Sequence, residues 1–219
     1  MRKKEKQGII FDLDGTLWDS SHEVVLAWNE ALKEFDELSA VVITDEDMHR
    51  FMGNTMDTIM DMMLGDGYDR DFKNRVLEKC VEKEHEYLME HGASLYPGFL
   101  KTMLELKSKY ELCIVSNSQD GYVQVFLRHF ALDDLFDDFE MFGRTGLEKG
   151  DNIRLVMERR GYDRAIYVGD TVGDELASRE AGAFFVHASY GFGKAENPDG
   201  ILRSLEELPK LADSIFENA

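Results

Sequence analysis

Three short apolar runs recur along the chain, and each gives way abruptly to polar residues. Gly8–Phe11 stops at Asp12, the run ELCIV at Ser116, and the run AIYV at Gly169-Asp170. Apolar runs of this length without alternation predict strands covered on both faces, the pattern of a parallel sheet. After each run, apolar residues fall at intervals of three and four, in FLKTMLELKSKY (99–110), VQVFLRHFAL (123–132), NIRLVMERRG (152–161) and ELASREAG (175–182). That spacing predicts helices. A further strand, AFFVHA, follows Gly182. Strands alternating with helices imply an α/β fold, a doubly wound, Rossmann-like parallel sheet with right-handed crossovers.

Residues 20–93 break this alternation. HEVVLAWNEALKEF, DEDMHRFM, MDTIMDMML and DFKNRVLEKCVEKEHEYLMEHG all read as helices, with no strand candidate among them. Thr44 followed by Asp47 resembles a capping box, with Asp in the place of the more usual Glu. The organisation expected is a core of residues 1–19 and 94–219 with an inserted helical cap of residues 20–93. The return into the core falls near Tyr96-Pro97-Gly98, a strong breaker. There are no internal repeats and no low-complexity stretch.

Composition narrows the partners. With 219 residues and 43% apolar, the chain can bury a sizeable core. Its formal net charge of −19 argues against nucleic acid or an anionic membrane surface as a partner, since phosphate binders carry basic patches. Two cysteines, Cys80 and Cys113, offer neither a disulfide framework nor a zinc spacing. The basic start MRKKEKQ precedes an apolar run too short for a signal peptide, and no stretch approaches the roughly 18 apolar residues of a membrane span. A cytoplasmic protein, monomeric or weakly homodimeric, is expected.

Candidate chemistry collects where the strands end, which is where open α/β sheets bind ligands. The first strand delivers Asp12 and Asp14, the second Ser116 and Asn117, and a later one Asp170, with Asp174 four residues on. Lys149 is the only lysine between Lys109 and Lys194. Two carboxylates close together and poorly solvated repel each other by several kcal/mol, so this stretch asks for a cation or a proton. Hard oxygen ligands without His or Cys suit Mg²⁺, which takes one or two carboxylates, waters and a substrate phosphate. Lys149 could hold a phosphoryl oxygen, and Ser116 and Asn117 are short donors for others. The constellation reads as phosphoryl transfer. D-x-D-G with Glu23 mimics the ends of an EF-hand loop, but Leu17 stands where that loop needs glycine.

FDLDGTL, IVSNS, Lys149 and VGDTVGD, in this order, resemble the four motifs of the haloacid dehalogenase-like hydrolases, in particular the phosphatases with a helical cap such as the phosphoglycolate phosphatase and β-phosphoglucomutase group. The resemblance covers nearly the whole chain. It implies that Asp12 is the nucleophile of an aspartyl-phosphate mechanism and that Asp14 is the acid/base. It implies Mg²⁺ held by Asp12, the backbone carbonyl of Asp14, and Asp170, with Asp174 supporting it directly or through water. Thr16, Ser116, Asn117 and Lys149 become phosphate or substrate ligands. Gly150 stands where relatives often carry Pro, which leaves Arg144 as the fallback cation. In the cap, HRFMGNTMD resembles a loop that dips toward the active site, so Gly53, Asn54 and Thr55, and more weakly Arg50, are substrate-facing candidates. Trp28 reads first as a packing residue, and Asp19 as part of the exit into the cap.

The expected activity is a Mg²⁺-dependent phosphatase acting on a small phosphorylated metabolite. Asp14 separates it from the dehalogenases, which lack a carboxylate there. A phosphomutase is the enzymatic alternative, but Val24 stands where those relatives carry a hinge His and Met56 where they carry a cap Arg, with His22 about 200° away around a helix. A catalytically silent binding subunit is the third reading. The cap loop has no basic cluster, which disfavours substrates with a second phosphate or a carboxylate. Phosphoglycolate, sugar phosphates, nucleoside monophosphates and pyrophosphate all stay open.

Overall fold

In the computed structural model, which describes residues 5–218, the strands are β1 (Gln7–Phe11), β2 (Trp18–Asp19), β3 (Ser94–Leu95), β4 (Glu111–Ser116), β5 (Asp138–Met141), β6 (Arg164–Gly169), β7 (Phe184–Ala188) and β8 (Gly200–Leu202). Six of them form one parallel sheet in the order β5-β4-β1-β6-β7-β8. The chain builds outward from β1 to β5 on one side, then crosses to β6 and builds outward again. That reversal of direction between β1 and β6 is the switch point where a crevice opens at the carboxyl ends of the strands.

The apolar runs are buried as their pattern predicts. Ile9, Ile10 and Phe11 are fully covered, and so are Leu112–Val115 and Ile166–Val168. Burying each such side chain contributes roughly 1.5–3 kcal/mol. Helices α5 (Phe99–Lys107), α6 (Tyr122–His129), α7 (Phe142–Thr145), α8 (Lys149–Arg160), α9 (Val172–Ala181) and α10 (Leu208–Asn218) flank the sheet, numbered after the four helices of the segment between β2 and β3. Register decides what the sheet can present. Phe11 lies opposite both Ile114 and Val168, so β1, β4 and β6 end within a few residues of one another along one edge.

Between β2 and β3 come α1 (Ser21–Leu32), α2 (Asp45–Phe51), α3 (Met56–Leu64) and α4 (Arg70–His91). α2 opens with the expected capping box of Thr44 and Asp47. The chain leaves and re-enters the sheet as one antiparallel ribbon, Trp18 opposite Leu95 and Asp19 opposite Ser94. Trp18 anchors that ribbon: it is fully buried and packs edge-on against Tyr122 and Phe126, with ring centroids 5.7 and 5.1 Å away. Edge-to-face pairs of this kind add about 0.5–1.5 kcal/mol beyond area burial. Gly98, at a φ of 78°, turns the returning chain into α5.

Both cysteines are buried and unpaired, and burial pushes the Cys113 thiol up to about 12, so it stays protonated. Several helices differ from their predicted bounds: α5 ends at Lys107 and α9 begins at Val172. α6 stops at His129, with Ala131 in the left-handed region at a φ of 54°. α8 begins at Lys149, three residues earlier than its apolar spacing suggests. No helix among the described residues is long and apolar enough to cross a membrane.

Candidate active site

Asp12 is the first residue past β1, and its backbone N–H bonds the Val168 carbonyl at 2.8 Å, carrying the sheet pattern one residue further. Its carboxylate is therefore aimed by the sheet rather than by a loop. Asp170 follows β6 directly, and Asp174 stands in the first turn of α9. Ligand oxygens of Asp12, Asp170 and Asp174 lie within 4.8 Å of one another, and all three residues are buried. Lys149, at the start of α8, donates to Asp12 Oδ1 at 2.9 Å and to Asp174 Oδ1 at 2.6 Å. The predicted register of Lys149 places it in this cluster. Arg144, the fallback, instead pairs with Glu140 at 2.6 Å and lies over the Phe139 ring.

Three carboxyl groups and one ammonium leave the cluster short of positive charge. Burial pushes the Asp12 carboxyl well above its ordinary range, and Asp174 and Asp170 push in the same direction against Lys149. Burial and then Asp174 raise Asp170 to about 7. Burial works against the charge on Lys149, but Asp12 and Asp174 outweigh it and hold the ammonium protonated. Oxygen donors, no nitrogen or sulfur, and unbalanced negative charge suit a hard divalent cation. Asp12, Asp170 and Asp174 can hold a metal ion.

Backbone donors fix the two later acids. Asp170 Oδ2 accepts from the N–H groups of Phe192 and Gly193 at 2.7 and 3.1 Å. Asp174 Oδ2 accepts from Asp170 N, Thr171 N and Thr171 Oγ1, the last two within the capping box of α9. Gly15, at a φ of 77°, lets the loop after β1 fold over Asp170: a Cβ there would stand 2.5 Å from Asp170 Oδ2. Only glycine fits both the backbone and the contact.

Asp14 is held apart from this cluster. Its Oδ1 accepts from Trp18 Nε1 at 2.9 Å, Ser20 Oγ at 2.7 Å and Tyr122 OH at 2.8 Å. Burial raises its pKa, and the three donors oppose that rise. With the donors gathered on Oδ1, a proton on this carboxyl belongs on Oδ2. Thr16 is fully buried with its Oγ1 unpartnered, and it is not among the residues that line the cavity.

A cavity opens between the strand ends and α1–α4, with Asp12, Asp14, Ser116, Asn117 and Lys149 on its core side. Ser116 Oγ accepts from Ser118 N at 3.1 Å, which bends the loop after β4. Asn117 Nδ2 donates to the Gly53 carbonyl at 2.9 Å, joining that loop to the loop between α2 and α3. Gly53 and Asn54 line the cavity; Thr55 is not among its lining residues, and its hydroxyl lies 3.1 Å from that of Thr58. Arg50 is exposed and pairs with Asp47 instead. Asp19 accepts from Ser21 N and Oγ, holding the start of α1.

The residue that sequence reasoning passed over is Glu84. It lies on the buried stripe Val76, Cys80, Glu84, Leu88 of α4, four residues apart each time. Trp28 Nε1 donates to Glu84 Oε2 at 2.6 Å, and Gln119 Nε2 donates to Oε1. A carboxyl at a core position of an amphipathic helix was the available signal. Burial raises it from 4.5 to about 8, against the hydrogen bonds from Gln119 and Trp28. Between those two values the unfolded chain loses the proton while the folded chain keeps it. Stability attached to Glu84 therefore falls as pH rises through that window. Glu84→Gln, with Gln119 free to turn its amide, should raise the melting temperature, and the gain should grow from about pH 5.5 to about pH 8. Melting curves at the two pH values check this; a gain independent of pH would contradict it.

The family model of haloacid dehalogenase-like hydrolases matches residues 9–188. The chain belongs to this family. Among curated relatives, the phosphoglycolate phosphatase of Vibrio parahaemolyticus is 26% identical over 95% of this chain and 96% of its own length. That of Aquifex aeolicus is 29% identical over 94% and 96%. Among solved structures, a haloacid dehalogenase-like hydrolase of Bacteroides fragilis superposes with a TM-score of 0.80 at 24% identity, covering 94% of this chain and 100% of the other. In this haloacid dehalogenase-like hydrolase, the matched span runs from Ile9 to Ala188, from β1 to the end of β7. All of the strand-end residues described above fall inside it. Phe192 and Gly193, whose backbone holds Asp170, lie just beyond it.

Proposed function

We propose that this protein is a Mg²⁺-dependent phosphatase that hydrolyses a small phosphate monoester through an aspartyl-phosphate on Asp12. The observation that carries the reading is the division of labour between the two acids of the first motif. Asp12 lies in the cluster with Asp170, Asp174 and Lys149, whereas Asp14 is bound separately, by three donors on one oxygen. A nucleophile has to be ionised and an acid has to keep its proton, and these surroundings push the two groups in those directions once a cation joins the cluster.

Asp12 and Asp170 would hold Mg²⁺, with Asp174 supporting it directly or through water and the Asp14 carbonyl as a further ligand. When bound, the ion would neutralise the carboxylates and withdraw charge from the phosphoryl oxygens. An Asp12 oxygen attacks phosphorus while the bond from phosphorus to the ester oxygen breaks, and Asp14 gives that oxygen its proton. Asp14, now a carboxylate, takes a proton from water as the water oxygen attacks the phosphorus of the aspartyl-phosphate. Inorganic phosphate leaves and Asp12 is restored. Lys149, Ser116 and Asn117 line the cavity beside Asp12 and supply donors to the phosphoryl oxygens.

The names of the two curated relatives support a phosphate monoester as the substrate. Hydrolysis rather than mutase chemistry is favoured by Val24 and Met56, which put apolar side chains on the cavity wall. The test is phosphate release from a set of small phosphate esters, with Asp12→Asn as the blank. Activity should vanish with EDTA and return with excess Mg²⁺. Release that is indifferent to EDTA would overturn the metal assignment.

A further inference from the structure

The half of the cavity facing Asp14 is built from the helical segment, and its chemistry differs from that of the phosphate end. Val24, Met48, Met52, Met56 and Ile59 give it an apolar wall. One ionisable group from α4, Glu84, interrupts that wall. Among the described residues lining the cavity the only cation is Lys149, and its ammonium is already shared between Asp12 and Asp174. Glu84 is 2% exposed, and each of its oxygens already accepts one N–H, from Trp28 and from Gln119. Each oxygen keeps a second lone pair. The neighbouring Ser118 Oγ, also on the cavity wall, is buried without a partner.

A phosphate monoester seated with its phosphorus at Asp12 and its ester oxygen at Asp14 must extend its leaving group into this half. A carboxylate or a second phosphate there would meet Glu84 and the methionines with no cation to pair with. Burying an unpaired charge is unfavourable. An uncharged leaving group meets no such penalty, and an ammonium set against the neutral carboxyl of Glu84 favours its ionisation and pairs with the carboxylate that results. We infer that Glu84 and the methionine wall select phosphate esters of uncharged or cationic alcohols that offer Glu84 a hydroxyl or ammonium donor, and reject esters that carry a second anionic group. This inference rests on the phosphatase reading and narrows it. It also separates this chain from the substrate named for its curated relatives, which bears a carboxylate. Glu84 is a specificity residue here, since it touches the leaving group and not the phosphorus.

The test compares kcat/KM for three esters of similar size: propyl phosphate, phosphoethanolamine and 2-phosphoglycolate. Wild type should prefer the first two over 2-phosphoglycolate by tenfold or more, about one uncompensated charge contact at the edge of a polar site. Glu84→Gln should narrow the gap between phosphoethanolamine and 2-phosphoglycolate by about tenfold, because an amide keeps the shape but cannot ionise to pair with the ammonium. Met52→Lys, on the half-exposed loop after α2, should raise turnover of 2-phosphoglycolate relative to propyl phosphate, and it serves should Glu84→Gln fold poorly. A purely structural role for Glu84 would lower all three esters together and leave their ratios unmoved, which would overturn the inference. So would wild-type preference for 2-phosphoglycolate, with the phosphatase reading left standing. Release from none of the three above the Asp12→Asn blank would take down the phosphatase reading, and this inference with it.

Discussion

Asp12→Asn is expected to lower kcat by about 10⁴-fold or more while leaving the fold intact, the scale seen when a covalent nucleophile is removed. Asparagine has the shape of aspartate but no anionic oxygen to form the acyl phosphate. The fold should tolerate it, because burial already opposes ionisation of Asp12 and the neighbouring Asp170 and Asp174 add to that opposition. Lys149 keeps its 2.6 Å contact with Asp174. The melting temperature without metal should therefore not fall. Turnover alone would not tell a lost nucleophile from a lost metal ligand, so the decisive measurement is covalent. Wild type quenched in acid during turnover should carry one phosphoryl group on Asp12, and Asp12→Asn should carry none. A wild-type enzyme that turns over rapidly with no phosphoryl group on Asp12 would sink the mechanism.

How far the sequence carries this picture depends on what kind of interaction holds each element. Strands β1, β4, β6 and β7 are buried on both faces, so their apolar runs announce them. Edge strands β5 and β8 do not look like strands in isolation. β5 is Asp-Phe-Glu-Met, and its acids are held by Arg159 from α8 at 2.8 and 3.0 Å, a partner 19 residues or more away. Charges on an edge are also what keeps it from pairing with another chain. α10 repeats Leu208, Ala212 and Phe216 at four-residue spacing, a legible pattern that lies beyond the motif-bearing strands. The acids at strand ends were readable because a parallel sheet puts ligand sites there. The donors that tune them were not, since Tyr122 reaches Asp14 across 108 residues and the Phe192 amide reaches Asp170 across 22. A backbone N–H has no signature in sequence, although the glycines of GFG after β7 permit the approach. Glu84 was hidden for another reason: in a helix rich in Glu and Lys, only the phase of its stripe distinguishes a buried acid from a solvated one.

Asp14→Asn should separate the two chemical steps that Asp12→Asn abolishes together. Oδ1 of the asparagine can still accept from Trp18, Ser20 and Tyr122, so the loop and the ribbon it anchors should hold. What is lost is a proton at the other oxygen, and general acid–base catalysis contributes typically about 10²–10⁴-fold. The loss should depend on the leaving group. Alkoxides need the proton, so alkyl phosphates such as propyl phosphate should fall by the full amount in kcat/KM. Phenoxide leaves without much help, so phenyl phosphate should fall far less in its first step. Its second step still needs a base for water. Asp14→Asn mixed with phenyl phosphate should therefore release a burst of phenol close to one equivalent of enzyme, then turn over slowly with phosphoryl-Asp12 accumulated. Burial favours the neutral form of Asp14 in the resting enzyme, which is the form the first step requires. Equal losses for alkyl and aryl esters would mean that Asp14 only shapes the site. Hydrolysis of propyl phosphate at the wild-type rate would mean that the proton comes from elsewhere.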